Sequence, residues 1–244
     1  MKMNNPLPVL YEDENYIAVN KPPELLVHKT DLCRDRIAAL QIVRDQIGGA
    51  HVYPTHRLDR GTCGVLLFAK SPEANRFAAT QFENREVRKS YLTVIRGWPK
   101  EESGIEDSPI KKENGEKVNA ISHFKVIFKV DYPYPVSKFP TSRYSMIRVF
   151  PKTGRMHQIR RHMRRISGPV IGDSNYGDTV HNHFFRDHLS IKNLFLFAES
   201  LSFKTIDGKE ICVNCPLPTH FEEVMKKFKW EKELLPSIDF LTTS

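Results

Sequence analysis

Residues 56–69 read HRLDRGTCGVLLFA, a cluster of charged residues followed by a continuous apolar run. The run Val65–Ala69 predicts a strand that is buried on both faces, and the two glycines before it permit a tight turn. Asp59 lies between Arg57 and Arg60, and nearby positive charge favours the ionised form of a carboxyl group. An ionised carboxylate can serve as a nucleophile or a base. The alternative interpretation is a structural ion pair at the entrance to the strand.

The rest of the sequence predicts many strands and few helices, without regular alternation. This pattern favours an α+β fold with flanking helices on a large mixed, mainly antiparallel sheet. We expect one domain over residues 1–244, with a core of about 9–215. Polar loops are expected over Ser103–Val118 and over Tyr132–Thr141, which contains three prolines. The other predicted strands are 9–11, 16–19, 91–96, 121–130, 143–150, 194–198, 201–203 and 211–213. The predicted helices are 40–47, one that begins at Ser71 and Pro72, one after Gly154, and one over about 219–234.

The charge balance points to a polyanionic partner. The chain has 37 Lys and Arg against 29 Asp and Glu, a formal net charge of +8. Binding such a protein to nucleic acid releases counterions from each neutralised phosphate. No stretch approaches the roughly 18 apolar residues of a membrane span, and the first residues lack a signal-peptide pattern. We therefore expect a cytoplasmic protein that does not associate with membranes.

Two groups of residues could in principle bind a metal ion. The C-x-x-C spacing at residues 212–215 lacks a second cysteine pair, so reduced thiols are expected, with zinc or redox use as the alternative. His181, His183 and His188 lie in a polar stretch without further ligands at standard spacing. The sequence therefore predicts no metal site.

Residues 153–165 read TGRMHQIRRHMRR, a second charged cluster. The apolar residues expected to pack this helix inward are Met156, Ile159, Met163 and Ile166. Arg160 lies beside that stripe, and because an unpaired buried charge is costly, it needs an acidic partner. Asp59 is the candidate. The arginines at positions 161, 164 and 165 can face solvent or phosphate, and a merely solvated basic face is the alternative for them.

A third segment, residues 85–91, reads REVRKSY and runs into a predicted strand. Lys89 and Tyr91 fit phosphate contact and base stacking. Ordinary packing of the tyrosine at the start of the strand is the alternative.

Together these segments resemble the RluA-type pseudouridine synthases. The family pattern H-R-L-D-x-x-T-[ST]-G-[LV] is met by residues 56–65, except that Cys63 stands where the family has Ser or Thr. The elements K-x-Y and G-R-x-H-Q-[IL]-R are met by residues 89–91 and 154–160. The resemblance covers about residues 9–215. Within the family, the chain is similar to a branch that modifies uridine 65 of tRNA.

The resemblance implies a pseudouridine synthase catalytic fold with a central RNA-binding cleft and roles for particular residues. Asp59 would be the catalytic carboxylate, Tyr91 would stack on the uracil, and Arg160 would pair with Asp59. Arg57 would fill the space left by the extruded nucleotide. The residues expected to contact RNA are Arg57, Arg60, Lys89, Arg155, Arg161, Arg164 and Arg165.

The resemblance also implies the partners. We expect tRNA as substrate, no cofactor or metal, no obligate protein partner, and no S4-like RNA-binding module. Alternatives are another tRNA site, ribosomal RNA, or a protein of the same fold that binds RNA without turnover.

Overall fold

The computed structural model describes residues 5–29, 37–166 and 168–238, so Cys33 lies outside the described residues. Among these residues, ten strands belong to one large sheet, and the ladders described below are antiparallel. The predicted α+β class with a large, mainly antiparallel sheet is confirmed. No helix among the described residues is long and apolar enough to cross a membrane.

The predicted strands and helices occur in the predicted order, and the structure contains further elements between them. The strands are β1 (Val9–Glu12), β2 (Tyr16–Lys21), β3 (Tyr53–Pro54), β4 (Cys63–Ala69), β5 (Arg88–Arg96), β6 (Ser103–Glu106), β7 (Ile110–Lys111), β8 (Lys117–Val118), β9 (Ser122–Tyr132), β10 (Ser142–Pro151), β11 (Leu196–Lys204) and β12 (Glu210–Asn214). The helices are α1 (Ala39–Gln46), α2 (Pro72–Glu83), α3 (Gln158–Arg165), α4 (Thr179–Asp187) and α5 (Thr219–Phe228), followed by a 3-10 turn at Lys232–Leu234.

The chain divides into two compact units. The first contains the residues up to Lys89 together with Ala198–Pro216, and the second contains Ser90–Phe197 and the residues from Leu217 onward. The expectation of a single domain over the whole chain stays a prediction.

In the first unit, strand β4 is the most deeply buried element. It pairs with β2, in register from Tyr16–Ala69 to Lys21–Gly64, and β1 pairs with β2. All seven residues of β4 are buried. A fully buried Leu or Phe side chain stabilises a fold by about 1.5–3 kcal/mol relative to an exposed one. The strand therefore provides a rigid base for the charged residues that precede it.

Helix α2 begins where the sequence predicts. The side-chain oxygen of Ser71 accepts a hydrogen bond from the N–H of Ala74 at 3.1 Å, and Pro72 occupies the first helical position. Proline suits that position because its missing N–H would have no partner inside the helix. The hydroxyl of Tyr16 donates to the carbonyl of Ala74 at 3.1 Å, which fixes the start of the helix against the sheet.

In the second unit, strand β10 lies between β5 and β9, and β6 pairs with the outer side of β9. Tyr144 of β10 is fully buried, and its ring contacts the rings of Phe184, Phe185 and Phe228. The Tyr144 hydroxyl lies 2.9 Å from Nδ1 of His181. This histidine is therefore a hydrogen-bonded core residue of helix α4.

Helix α3 begins later than the apolar pattern predicts. The inward position is confirmed for Ile159 and Met163, which are buried, and is wrong for Met156, which precedes the helix and is 52% exposed. The reason is local backbone geometry. His157 has a φ of 55°, in the left-handed region, so a right-handed helix cannot run through it from Met156. Ile166 follows the last helical residue and is half-buried.

Two C-terminal predictions are wrong in their boundaries. Strand β11 is one element where two strands were predicted, because Ser200 and Ser202 are buried within the ladder despite their polarity. The last helix ends at Phe228, well before the predicted end at Leu234. Lys229 adopts a left-handed φ of 56°, which terminates the helix.

Helix α4 and strands β3, β6, β7 and β8 were not predicted. Helix α4 lies in the polar stretch that contains the three histidines, and the Asp178 carboxylate caps it by accepting hydrogen bonds from two backbone N–H groups. The predicted polar loop Ser103–Val118 contains strand β6 and a separate hairpin of β7 and β8. Residues distant along the chain contact both segments: the Tyr144 hydroxyl lies 2.9 Å from Nδ1 of His181 in helix α4, and Arg161 donates to the carbonyl of Lys111 in the hairpin.

Replacing Gly64 with alanine should destabilise the protein strongly. Gly64 has a φ of 110°, and a Cβ there would lie 2.2 Å from the carbonyl oxygen of Ala198. Backbone strain costs about 1–3 kcal/mol, and the overlap adds about 1–3 kcal/mol. Gly208 is a matched control because its φ is 83° but nothing lies within 4 Å of the added Cβ. Urea unfolding should show a larger loss for Gly64→Ala than for Gly208→Ala, and equal losses would contradict the packing argument.

Candidate active site

Asp59 lies in the turn that leads into strand β4. Its backbone carbonyl accepts a hydrogen bond from the N–H of Thr62 at 3.1 Å, which closes the turn. The preceding Leu58 is buried at 8% exposure and anchors the segment. The Asp59 side chain is only partly buried, whereas Arg57 and Arg60 are exposed. A carboxylate is thus presented at the surface from a rigid base.

Lys21, at the end of strand β2, fixes this turn through hydrogen bonds from its side chain. Its ammonium group donates hydrogen bonds to the carbonyls of Pro22 at 2.9 Å, Leu25 at 2.7 Å and Arg60 at 3.0 Å. The side chain is fully buried. Burial lowers the pKa of Lys21 to about 8, although nearby groups, including Asp59, act in the opposite direction. Lys21 therefore positions the Asp59 turn.

The sequence interpretation assigned no site role to Lys21. The available signal was a lysine that follows a run of apolar strand residues directly before two prolines. A charged residue at such a position is rarely buried unless it is paired or fully hydrogen-bonded.

His56, the first residue of the Asp59 motif, and Lys89 share one aromatic neighbour. The ring of His56 stacks on Phe82 with centroids 5.3 Å apart, and the Lys89 ammonium lies 5.9 Å from the centre of the same ring. Nε2 of His56 accepts a hydrogen bond from the N–H of Leu67 at 3.2 Å. Burial lowers the pKa of His56 to about 3 and that of Lys89 to about 8. His56 is therefore a neutral, structural residue at neutral pH.

Cys63 stands where the family pattern has a residue with a hydroxyl group, and its thiol is not ionised. Burial raises the pKa of its thiol to about 12, so the group stays protonated. The thiols of Cys63 and Cys215 are buried, and that of Cys212 is exposed. Among the described residues, no group of three or more histidine, cysteine or acidic side chains is arranged to hold a metal ion.

In the second unit, Arg160 is buried and paired with an acid. Its Nε and Nη2 donate to the two carboxylate oxygens of Asp173 at 2.8 and 2.7 Å, and both residues are less than a tenth exposed. Oδ1 of Asp173 also accepts from the N–H groups of Asn175 at 2.9 Å and Tyr176 at 3.0 Å. The requirement for an acidic partner is met by Asp173. Asp59 belongs to the other unit, and its pairing with Arg160 stays a prediction.

Tyr176 packs against the cations of helix α3. The guanidinium carbons of Arg160 and Arg161 lie 5.3 and 6.0 Å from its ring centre. Its hydroxyl lies 3.2 Å from Nδ1 of His157, the residue with the left-handed backbone. The loop after Asp173 and the start of helix α3 therefore hold each other in place.

The start of helix α3 is fixed by the buried side chain of Gln158. Its amide nitrogen donates to the carbonyl of Ile121 at 2.9 Å and to the hydroxyl of Ser122 at 3.0 Å. Its amide oxygen accepts from the hydroxyl of Thr153 at 2.7 Å and from the N–H of Arg155 at 3.0 Å. Because every polar atom of this amide has a partner, the loop that precedes the helix has a defined conformation.

The other residues predicted to contact RNA occupy different settings. Arg155 and Arg165 are exposed and Arg161 is partly exposed, and each also donates a hydrogen bond to a backbone carbonyl of the segment 109–119. Arg164 is exposed on helix α3. Tyr91 is partly exposed on strand β5, where it lies opposite Val149 of β10. Contact of any of these residues with RNA stays a prediction.

Comparison with known proteins decides the family. The sequence pattern of the family described as RNA pseudouridylate synthase matches residues 15–165. The chain belongs to the RNA pseudouridylate synthases. It is an RluA-type member, as the sequence resemblance predicted.

Similar proteins extend over nearly the whole chain. The tRNA pseudouridine synthase C of Pasteurella multocida is 40% identical over 238 residues, which cover 92% of this chain and 97% of the relative. The tRNA pseudouridine synthase C of Vibrio cholerae is 38% identical over 242 residues, which cover 94% and 98%.

Solved structures support the fold of this RNA pseudouridylate synthase. The human RNA pseudouridylate synthase domain containing 4 has a TM-score of 0.71 at 22% identity, with coverage of 91% of this chain and 92% of that chain. The human RNA pseudouridylate synthase domain containing 1 has a TM-score of 0.67 at 21% identity, with coverage of 95% of this chain and 97% of that chain. At these identities the likeness shows a shared fold.

Replacing Asp173 with asparagine should destabilise this pseudouridylate synthase by about 3–5 kcal/mol, because it removes the carboxylate that accepts two hydrogen bonds from the buried Arg160. Asp187→Asn is the matched control. Asp187 and Arg186 form an equally short pair at 2.7 Å, but each side chain is 53% exposed, so its loss should matter little. Urea unfolding at pH 7 measures both variants, and equal losses would contradict the importance of the buried pair.

The effect of Asp173→Asn should also depend on pH. Burial opposes ionisation of Asp173, but hydrogen bonds from Arg160 and two backbone N–H groups outweigh it and hold the carboxyl pKa below its usual range. Such a group contributes stability above its unfolded pKa of about 3.9 and loses it as the pH falls through the folded value. The difference in unfolding free energy between the wild type and the variant should therefore narrow below about pH 4. A difference that is constant from pH 7 to pH 3 would contradict this assignment.

Proposed function

We propose that this chain isomerises uridine to pseudouridine in tRNA, with uridine 65 as the target and Asp59 as the catalytic carboxylate. The observation that supports it most directly is the setting of Asp59: a partly exposed carboxylate on a turn fixed by a fully buried lysine and a fully buried strand. The substrate class is supported by relatives at 38–40% identity that are named tRNA pseudouridine synthase C.

The reaction is an exchange of bonds within one nucleotide. The bond from ribose C1′ to uracil N1 breaks, the base rotates, and a bond from C1′ to C5 forms. N1 gains a proton and C5 loses one to solvent, so substrate and product have the same composition. A carboxylate can promote the first step as a nucleophile at C1′ or C6, or as a base that gives a glycal intermediate.

The uridine must leave its helical stack before Asp59 can reach it. Extrusion of a base costs a few kcal/mol, which contacts to phosphates and stacking of the base can offset. Arg57 is exposed near Asp59 in the sequence and is proposed to fill the space that the nucleotide leaves. Tyr91 is proposed to stack on the uracil and to assist removal of the C5 proton.

Arg160 is proposed to pair with Asp59. Nε and Nη2 of Arg160 donate to the two carboxylate oxygens of Asp173, and this bidentate contact fixes the plane of the guanidinium group. Asp173 would then orient the guanidinium, and Arg160 would hold the catalytic acid.

Replacing Asp59 with alanine or asparagine should reduce turnover by more than about a thousandfold, because both changes remove the carboxylate that the first step needs. The affinity for tRNA should stay within a few-fold of the wild type, since Asp59 contributes no positive charge to the RNA contact. Pseudouridine formation by nucleoside chromatography and tRNA affinity by filter binding measure the two effects separately.

Asp45→Ala is the matched control for Asp59. Asp45 is an exposed carboxylate of the same unit that pairs with Arg44 at 2.7 Å, and its loss should leave turnover unchanged. Retained turnover in Asp59→Asn would contradict the catalytic role. A collapse of tRNA affinity in both Asp59 variants would make the residue structural.

The target nucleotide can be tested with altered tRNA. A transcript in which uridine 65 is replaced by cytidine should yield no pseudouridine, whereas a transcript with a uridine replaced in the anticodon loop should react normally. Product from the first transcript would overturn the choice of uridine 65 while leaving the chemistry in place. Product only from ribosomal RNA would overturn the choice of tRNA.

A further inference from the structure

The hairpin of strands β7 and β8 carries an unfavourable pair of like charges. Ile110 lies opposite Val118, and Lys111 lies directly opposite Lys117 in the ladder. Like charges that face each other across two strands are destabilising. Both lysines are exposed, and the carboxylate of Glu116 is paired with Lys112 at 2.9 Å. The hairpin thus keeps two facing cations at a cost to its own stability.

This hairpin is too small to be stable by itself. It is a two-stranded sheet separate from the large sheet, and an isolated two-stranded hairpin is marginal in water. Its strands contain two residues each, and Gly115, with a φ of 88°, closes the turn between them. Contacts elsewhere in the second unit must therefore hold it.

Helix α3 and the loop before it supply those contacts. Arg161 donates to the carbonyl of Lys111 at 2.9 Å, and Arg165 donates to that of Pro109 at 3.3 Å. Arg155 donates to the carbonyl of Asn119 at 3.2 Å, on the other end of the hairpin. A ring nitrogen of the buried His162 lies 3.1 Å from the carbonyl of Ser108. Hydrogen bonds from helix α3 and the loop before it therefore hold both the segment that enters the hairpin and the segment that leaves it.

Arg155 and Arg161 have further N–H donors that can bind another acceptor. A guanidinium has five N–H donors, and the described bonds of Arg155 and Arg161 to the hairpin each use one of them. Arg155 is exposed and Arg161 is partly exposed. Two lysine ammonium groups beside guanidinium groups form a surface that suits a phosphodiester, whose oxygens accept from several donors at once.

We propose that Lys111 and Lys117 bind the phosphate backbone of the RNA substrate. We further propose that Arg155 and Arg161 hold the hairpin in place and complete the same phosphate contact. The proposal rests on the proposed function for the identity of the RNA. The like-charge pair that weakens the free hairpin becomes favourable when a phosphate lies between the two ammonium groups.

Lys117→Glu separates the binding role from a structural one. The new carboxylate would face Lys111 and replace a repulsive pair by an attractive one, so the melting temperature should stay the same or rise. The affinity for a tRNA transcript should nevertheless fall about tenfold, and the slope of log K against log salt should shrink by about 0.7–0.9 for each phosphate that the variant no longer neutralises. At saturating tRNA, kcat should be unchanged and the effect should appear in KM.

Lys226→Glu is the matched control, since it makes the same charge change at an exposed lysine of helix α5. It should alter tRNA affinity less than twofold. Equal affinities of the two variants would overturn the proposal, and so would a lower affinity of Lys117→Glu accompanied by a lower melting temperature and an unchanged salt slope.

Failure of this proposal can be told apart from failure of the proposed function. Binding is measured without turnover, so wild-type protein that binds tRNA but forms no pseudouridine would overturn only the function. Wild-type protein that forms pseudouridine while Lys117→Glu binds normally would overturn only the role of the hairpin.

Discussion

The buried ammonium group of Lys21 is the interaction on which the candidate active site depends. It donates to three backbone carbonyls, one of them in the turn that carries Asp59. Burial of a charged group is expensive unless its hydrogen bonds are satisfied, and here three acceptors satisfy all three donors of the ammonium. In return, two irregular segments that lack secondary structure of their own are joined at a fixed point. A carboxylate on such a turn can be both accessible and well positioned.

In the second unit, a buried arginine fixes loop backbone as Lys21 does in the first. Arg160 and Asp173 form a buried bidentate pair, and the backbone N–H groups of Asn175 and Tyr176 complete the coordination of the carboxylate. The ring of Tyr176 then covers the guanidinium group. In both units, a buried cation organises loop backbone, so that the exposed polar groups next to it need not be flexible. The hydrogen bonds from helix α3 to the hairpin extend this principle to the surface.

Much of the fold could be predicted because its signals are local. The buried strand after Asp59 follows from a continuous apolar run, and the start of helix α2 follows from Ser71 and Pro72. The requirement that Arg160 have an acidic partner could also be predicted, from one charge beside an apolar stripe. The identity of its described partner, Asp173, could not, since it depends on how the chain returns to helix α3.

What the sequence did not predict depends on long-range contacts or on backbone geometry. The left-handed backbone at His157 shortens helix α3, and although histidine enters that region more often than most residues, the preference is too weak to place the start of a helix. The hairpin of β7 and β8 receives hydrogen bonds from arginines elsewhere in the chain, at the carbonyl of Lys111 and at that of Asn119 directly after it. Lys21 follows the predicted strand 16–19 and had no predicted role, and only its three acceptors reveal its importance.

We propose that this chain turns uridine into pseudouridine in tRNA. The most direct measurement uses unmodified tRNA that carries tritium at uracil C5, because formation of the new carbon–carbon bond must release that label to water. The wild-type protein should release the label of a single uridine from each substrate tRNA. Absence of release from tRNA, under conditions in which the protein is folded and binds it, would contradict the proposed activity.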